Sequence, residues 1–243
     1  MAHRKDFWNK EYKKARRSGP QGPHLALSDE PSEDLAKFTR FLEREYGRKY
    51  LNVTAQAVDL GCGNGRNLIF LAENFGMHGV GYDNSREAIA QATQALNAKD
   101  PGSKQLTFLV RSLEEAVPLP DGSVTIALDM MSSHVLNRDG RERLRAEILR
   151  VLRPGGWLFF KSFLLDEDSN AKRLLREHPG PEEGMYIHPE IGVAEYVWTE
   201  QALREFFEPY FFIHKIETSH KHRHADGSAW KRRTISAYLQ KSD

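Results

Sequence analysis

The sequence predicts an α/β fold: a doubly wound, mostly parallel sheet with helices on both faces and an antiparallel hairpin near the C-terminus. Three observations predict it. Apolar strand-like runs alternate with helical periodicity, giving a strand near 55–60, a helix over 64–75, a strand over 78–83, a helix over 86–98 and a strand over 105–110. That βαβαβ order implies parallel strands joined by right-handed crossovers. The first of these strands runs straight into Gly61-Cys62-Gly63-Asn64-Gly65, a turn too tight for side chains, which leads into a helix beginning near Asn64. Finally, residues 211–218 and 234–240 read as two consecutive strands. A length of 243 residues suits one α/β domain with additions and is enough to bury a real core.

The elements follow in order. Residues 6–17 are predicted helical, with Phe7, Trp8, Glu11, Tyr12 and Ala15 on one face, and a Gly-Pro-rich loop follows over 18–23. Ser32 is placed to cap a second helix whose first turn carries Glu33 and Asp34 and whose inner face carries Leu35, Phe38, Phe41 and Leu42. Ser85 is placed to cap the helix over 86–98. A fourth strand over 124–128 ends at Asp129, a helix over 138–152 follows, and Arg153-Pro-Gly-Gly156 is expected to end it before a strand over 157–164. Periodicity lapses from Asp166 to Val197, and a last helix covers 200–207.

In an open parallel sheet, ligands bind beyond the carboxyl ends of the strands, where Asp59, Gly61, Asp83 and Ser112 fall. A glycine-rich strand-to-helix turn leaves several ligand classes open. The dinucleotide fingerprint needs a small residue three positions after Gly63, where Arg66 stands, and no Gly-Lys-Ser/Thr run follows for a phosphate-binding loop. Residue by residue, AVDLGCGNGRN from Ala57 to Asn67 resembles the first motif of the class I S-adenosylmethionine-dependent methyltransferases. The run LRPGGWLFF from Leu152 is similar to the helix-turn-strand that follows the active site in that family. The resemblance implies a Rossmann-like, seven-stranded sheet closed by the C-terminal hairpin, with S-adenosyl-L-methionine as cofactor and S-adenosyl-L-homocysteine as product. It implies cofactor contacts at Asp59, Gly61, Cys62, Gly63, Asp83, Asn84, Ser112, Leu113 and Asp129. Asp83 would accept from both ribose hydroxyls, and Ser112 departs from the aspartate usual in the segment that holds adenine. Similar enzymes fold an N-terminal aromatic segment over the cofactor, which nominates Trp8 and Tyr12 as contacts as well as packing residues.

On the same resemblance the transferred methyl lies just past the fourth strand, so Asp129 and His134 are the catalytic candidates. His134 is either a proton acceptor, since imidazole titrates near neutrality, or a histidine with a structural hydrogen bond. The chain divides into a helical lid or cover (1–50), a cofactor-binding core (51–164), a substrate-recognition insertion (165–198) with Tyr186, His188 and Tyr196 as pocket candidates, and a C-terminal helix and hairpin (199–243). The implied reaction is in-line displacement, in which a nucleophile of a small-molecule substrate attacks the sulfonium methyl.

Composition limits the partners. Lysine plus arginine number 35 against 34 acidic residues, so no global field favours DNA or an anionic membrane. One local stretch, with Lys221, Arg223, Lys231, Arg232 and Arg233, admits RNA as a second substrate class. A catalytically silent cofactor-binding module acting through a protein partner is the third reading. His220, His222 and His224 alternate as zinc ligands would in a strand, yet no supporting carboxylate is evident and no metal is expected. Cys62 is the only cysteine and has neighbours suited to packing, which together with the absence of an apolar leader leads to the expectation of a soluble, cytoplasmic protein.

Overall fold

The computed structural model describes residues 7–14, 28–100, 102, 104–219 and 232–242. Its seven-stranded sheet has the order β3-β2-β1-β4-β5-β9-β8, with β1 Gln56–Leu60, β2 His78–Asp83, β3 Leu106–Val110, β4 Val124–Met130, β5 Leu152–Phe163, β8 Phe211–Thr218 and β9 Thr234–Lys241. A separate two-stranded sheet pairs β6, Met185–Ile187, with β7, Ala194–Tyr196. The Rossmann-like architecture and its antiparallel C-terminal hairpin are therefore present. The chain forms two compact units, one comprising the residues up to Glu115 with Ser123–Leu128, the other Ala116–Gly122 with everything from Asp129 onward.

In the first unit β1 pairs with β2 and β2 with β3, all parallel. Helix α1 covers residues 7–14, α2 Glu33–Tyr46, α3 Arg66–Phe75 and α4 Arg86–Lys99. The two glycines of β2 let its neighbours seat closely: a Cβ on Gly79 would lie 2.7 Å from Leu68 of α3, and one on Gly81 2.8 Å from Phe108 of β3 and 2.9 Å from the Cys62 sulfur in the turn after β1. Buried Ala57, Val58 and Leu60 of β1 and Leu68 and Leu71 of α3 form the apolar interior there. Ser85 caps α4 as predicted, its hydroxyl accepting from the Ala88 amide. Ser32 occupies the N-cap position of α2 without a side-chain cap; its own amide donates to Asn67 Oδ1 at 3.0 Å, tying that helix start to α3 instead.

The second unit holds the antiparallel β5-β9-β8 ladders and the helices α5 Arg138–Val151, α6 Ser169–Glu177 and α7 Glu200–Phe207. Two expectations are corrected. The Arg153-Pro-Gly-Gly run does not separate helix from strand, because β5 starts at Leu152 and runs for 12 residues through it. The stretch from Asp166 to Val197 is not one long loop. Asp168 caps α6 by accepting from the Asn170 and Ala171 amides, and β6 and β7 form a hairpin behind it. An aromatic cluster seats α7 on β5, with Phe160 5.0 Å from Phe207 and 5.5 Å from Trp198 between ring centroids.

Candidate functional site

In the first unit the site is the turn that follows β1. Gly63 and Gly65 have φ of +54° and +78°, the left-handed region, so the chain reverses there with no side chain to strain. The amides of this turn are used within the protein. Those of Gly61 and Cys62 both donate to the Tyr82 carbonyl, at 2.7 and 2.9 Å, Gly65 donates to the Cys62 carbonyl, and Gly63 donates to Asp83 Oδ2 at 3.0 Å. The other Asp83 oxygen accepts from the Ser85 amide at 2.8 Å. A row of free amides for a pyrophosphate is thus not what these four residues present. They present a carboxylate locked against a side-chain-free turn. Burial raises the Asp83 carboxyl above its ordinary range, and the two amides partly restore it. Each oxygen uses one amide and keeps a lone pair, which suits the neighbouring hydroxyls of a ribose.

Tyr12 closes this turn from above. It is 8% exposed, and its hydroxyl occupies the space a Cβ on Gly63 would need. Asn9 holds α1 there by accepting from the Ser85 hydroxyl at 3.0 Å and the Glu87 amide at 3.3 Å, while Gln91 donates to the Tyr12 carbonyl at 2.9 Å. Trp8 is half-buried and packs edge-on against Phe7. Asp59 and Cys62 are buried, and burial raises the Cys62 thiol well above its ordinary value, which suits packing rather than nucleophilic work. Asn84 and Leu113 are half-buried. The Ser112 hydroxyl accepts from the Glu114 amide at 3.2 Å, shaping the turn after β3.

A second cluster lies wholly within the other unit. Asp129, 3% exposed, accepts from the Ser132 hydroxyl at 2.9 Å and the Ser133 amide at 3.1 Å, which starts the 3-10 turn Ser133–Val135 carrying His134. Burial pushes the Asp129 carboxyl up, opposed by those hydrogen bonds. His134 is 4% exposed; its Nε2 lies 3.6 Å from Glu195 Oε1, an ion-pair distance longer than a hydrogen bond, and its buried Nδ1 has no partner among the described residues. Glu195 Oε2 accepts from the Tyr186 hydroxyl at 2.6 Å and from Arg232 Nη1 at 2.7 Å. Burial alone would raise the Glu195 carboxyl, but His134, Arg232 and Tyr186 hold it well below the usual range.

The three residues predicted for substrate fall in different surroundings. Tyr186 is fully buried against Ala171, Leu174 and Val197 and opposes Glu195 across the β6-β7 ladder. His188 Nδ1 accepts from the Glu190 amide within the loop joining those strands, at 3.3 Å. Tyr196 is half-buried, and the Arg141 guanidinium lies 3.9 Å from its ring centre. Glu195 escaped sequence reading altogether, since a lone glutamate in a three-residue strand carries no pattern. Arg232 and Arg233, read as part of a basic patch, turn inward: Arg233 bonds the Asp166 and Ser219 carbonyls and its amide donates to Asp168. The rest of that patch, with His220, His222, His224, Lys221, Arg223 and Lys231, lies outside the described residues. Among the described residues no group of histidine, cysteine and acidic side chains has metal-binding geometry.

Residues 57–156 match the family model described as a methyltransferase domain. A solved S-adenosylmethionine-dependent methyltransferase from Methanosarcina mazei is 26% identical and superposes with a TM-score of 0.63, over 80% of this chain and 96% of that one. The family model and this likeness support a class I S-adenosylmethionine-dependent methyltransferase. The trans-aconitate 2-methyltransferase of an Azoarcus species is 32% identical over 144 residues, and an O-methyltransferase of Aspergillus nomiae is 29% identical over 161. The matched regions span 59% and 64% of this chain, and 52% and 69% of those two methyltransferases. The glycine turn and Asp83 fit the family's cofactor, S-adenosylmethionine, whose nucleoside needs a hydroxyl acceptor and a close backbone rather than a phosphate cradle. Among the described residues no helix is long and apolar enough to cross a membrane.

Proposed function

We propose that this methyltransferase transfers the methyl group of S-adenosylmethionine to a nucleophile on a small molecule, with Asp83 holding the ribose and His134 accepting the proton the nucleophile sheds. The observation that carries the reading is Asp83, whose two oxygens are fixed by the Gly63 and Ser85 amides so that the acidic acceptor and the glycine turn form one rigid element. The relatives named for O-methylation support a small acceptor. When bound, the cofactor supplies an electrophilic sulfonium methyl. The remaining work belongs to the chain.

Tyr12, whose hydroxyl fills the space over Gly63, and Trp8 present aromatic faces that exclude water and suit a cation. Glu195 beside Nε2 favours the tautomer with its proton on that nitrogen and leaves the Nδ1 lone pair as the acceptor. As positive charge builds on the ring during proton transfer, the same carboxylate stabilises it. Asp129 positions the turn that carries His134.

Two measurements test the reading. S-adenosylmethionine and S-adenosylhomocysteine should each raise the melting temperature while NAD does not, because only a ligand of the native state shifts unfolding. Asp83→Ala should weaken calorimetric affinity for S-adenosylmethionine by about 1.5 to 3 kcal/mol, through loss of a charged acceptor. Equal affinity in a folded variant would overturn the assignment of Asp83, and a larger shift with NAD the choice of cofactor.

A further inference from the structure

The cluster around Glu195 contains a charged group that the described residues satisfy on one side only. Arg232 lies two residues before β9, and its backbone is fixed there because the next amide, that of Arg233, donates to buried Asp168 Oδ2 at 2.8 Å. Its side chain is 15% exposed. One face of the guanidinium lies on the Phe163 ring, 3.2 Å from the centroid, and Tyr186 is 5.1 Å away. Nη1 is taken by Glu195. Nε and Nη2 are both buried and, among the described residues, have no acceptor.

Those two nitrogens form one edge of the guanidinium, with parallel N–H bonds at the spacing of two carboxylate oxygens. A planar, two-oxygen anion satisfies both at once, whereas a single carbonyl or hydroxyl leaves one donor bare in a place where bare charged donors are costly. Glu195 cannot fill this role, since its Oε2 already accepts from Nη1 and from Tyr186 and its Oε1 faces His134. The same carboxylate thus ties Arg232 to the histidine assigned above as proton acceptor.

We infer that the Nε/Nη2 edge of Arg232 anchors a carboxylate of the methyl acceptor, so that the substrates of this enzyme are acids. The inference rests on the methyl-transfer reading for the word substrate and on Arg232 alone for the anion. Glu195 is a positioning residue: it fixes the guanidinium so that the free edge, rather than the Nη1 end, is presented.

The test uses the full chain, with and without saturating S-adenosylhomocysteine, and four probes in matched pairs: benzoate against benzamide and succinate against succinamide. Calorimetry should show each acid binding at least about tenfold more tightly than its amide. Arg232→Gln should abolish that preference while leaving S-adenosylhomocysteine affinity within about twofold, and Arg232→Lys should restore only part of it, because an ammonium keeps the charge and loses the fork. Equal binding of acid and amide, or a preference that survives in Arg232→Gln, overturns the proposal; so does inorganic phosphate binding more tightly than either acid. Should Arg232→Gln fail to fold, the arginine Nε–H resonances of the wild type decide: the one absent from Arg232→Lys should move on adding benzoate, and a fixed resonance refutes the site. Loss of S-adenosylhomocysteine binding in the wild type would sink the methyl-transfer reading instead, and the acid-amide comparison made without it still reads the anion site.

Discussion

Glu195 shows how much one buried carboxylate can organise. Its two oxygens meet a hydroxyl, a guanidinium and an imidazole contributed by β6, by the segment leading into β9 and by the 3-10 turn. Because those partners hold its carboxyl below the ordinary value of 4.5, the native state resists protonating it while the unfolded chain does not. The depressed value fixes the sign: the stability contributed by its charge is fully present above about pH 4.5 and is lost as pH falls through the lower native value. Glu195→Gln should therefore cost about 3 kcal/mol or more at pH 7, by leaving Arg232 buried and unpaired, and the gap to wild type should narrow below pH 4.5. Urea unfolding at pH 7, 5 and 3.5 checks this, and a gap that does not change with pH would contradict it. None of this cluster was legible as a cluster. His134 stood out because imidazole at a strand end suggests chemistry, but Glu195 and Arg232 are 37 residues apart and meet only through the fold.

At the scale of elements, legibility followed chemistry that is local in sequence. The glycine turn and the Ser85 cap are encoded within a few residues, so both were predicted. Helix α6 was not: in SNAKRLLRE only Ala171 and Leu174 are fully buried, too few to stand out among charges, and Pro179, Gly180 and Pro181 after it suggested a loop. In β5 the Pro-Gly-Gly run looked like a break, yet the strand passes through it, with Gly155 taking φ of +65°. The turn itself yields a sharp expectation. At Gly65 a Cβ would lie 2.6 Å from Phe108 and 2.9 Å from Ala92, in a backbone conformation that already disfavours side chains. Gly65→Ala should cost about 2 to 5 kcal/mol, from overpacking together with the left-handed backbone. Gly47, with φ of +60° and nothing within 4 Å, isolates the backbone effect, so Gly47→Ala should cost only about 1 kcal/mol. Chemical denaturation of the two variants separates strain from crowding, and equal losses would show that packing at Gly65 is looser than the distances state.

For the whole molecule the open matter is how α1 contributes to global stability compared with ligand binding. The ladders β1-β2 and β2-β3 close without it, whereas Tyr12 reaches the glycine turn and Asn9 reaches the start of α4. We propose α1 as a cover over the cofactor turn, so removing residues 1–17 should act on binding far more than on unfolding. Its hydrogen bonds to Ser85, Glu87 and Gln91 are partly buried, a modest attachment beside the strand ladders. The truncated chain should therefore melt within about 8 °C of the full chain, the largest shift that a loss of roughly 1 to 2 kcal/mol produces in a domain of this size. Its affinity for S-adenosylhomocysteine should fall at least about tenfold, since an aromatic cover that excludes water is gone. Hydrogen exchange on the full chain adds an independent reading, because a weakly held segment ordered by a ligand gains protection while the strands beneath it, already stable, gain little. Residues 7–14 should slow on adding S-adenosylhomocysteine while β1 and β2 stay unchanged. A truncated chain with wild-type affinity would reduce α1 to packing. A truncated chain that no longer folds would instead make Tyr12 and its neighbours part of the core.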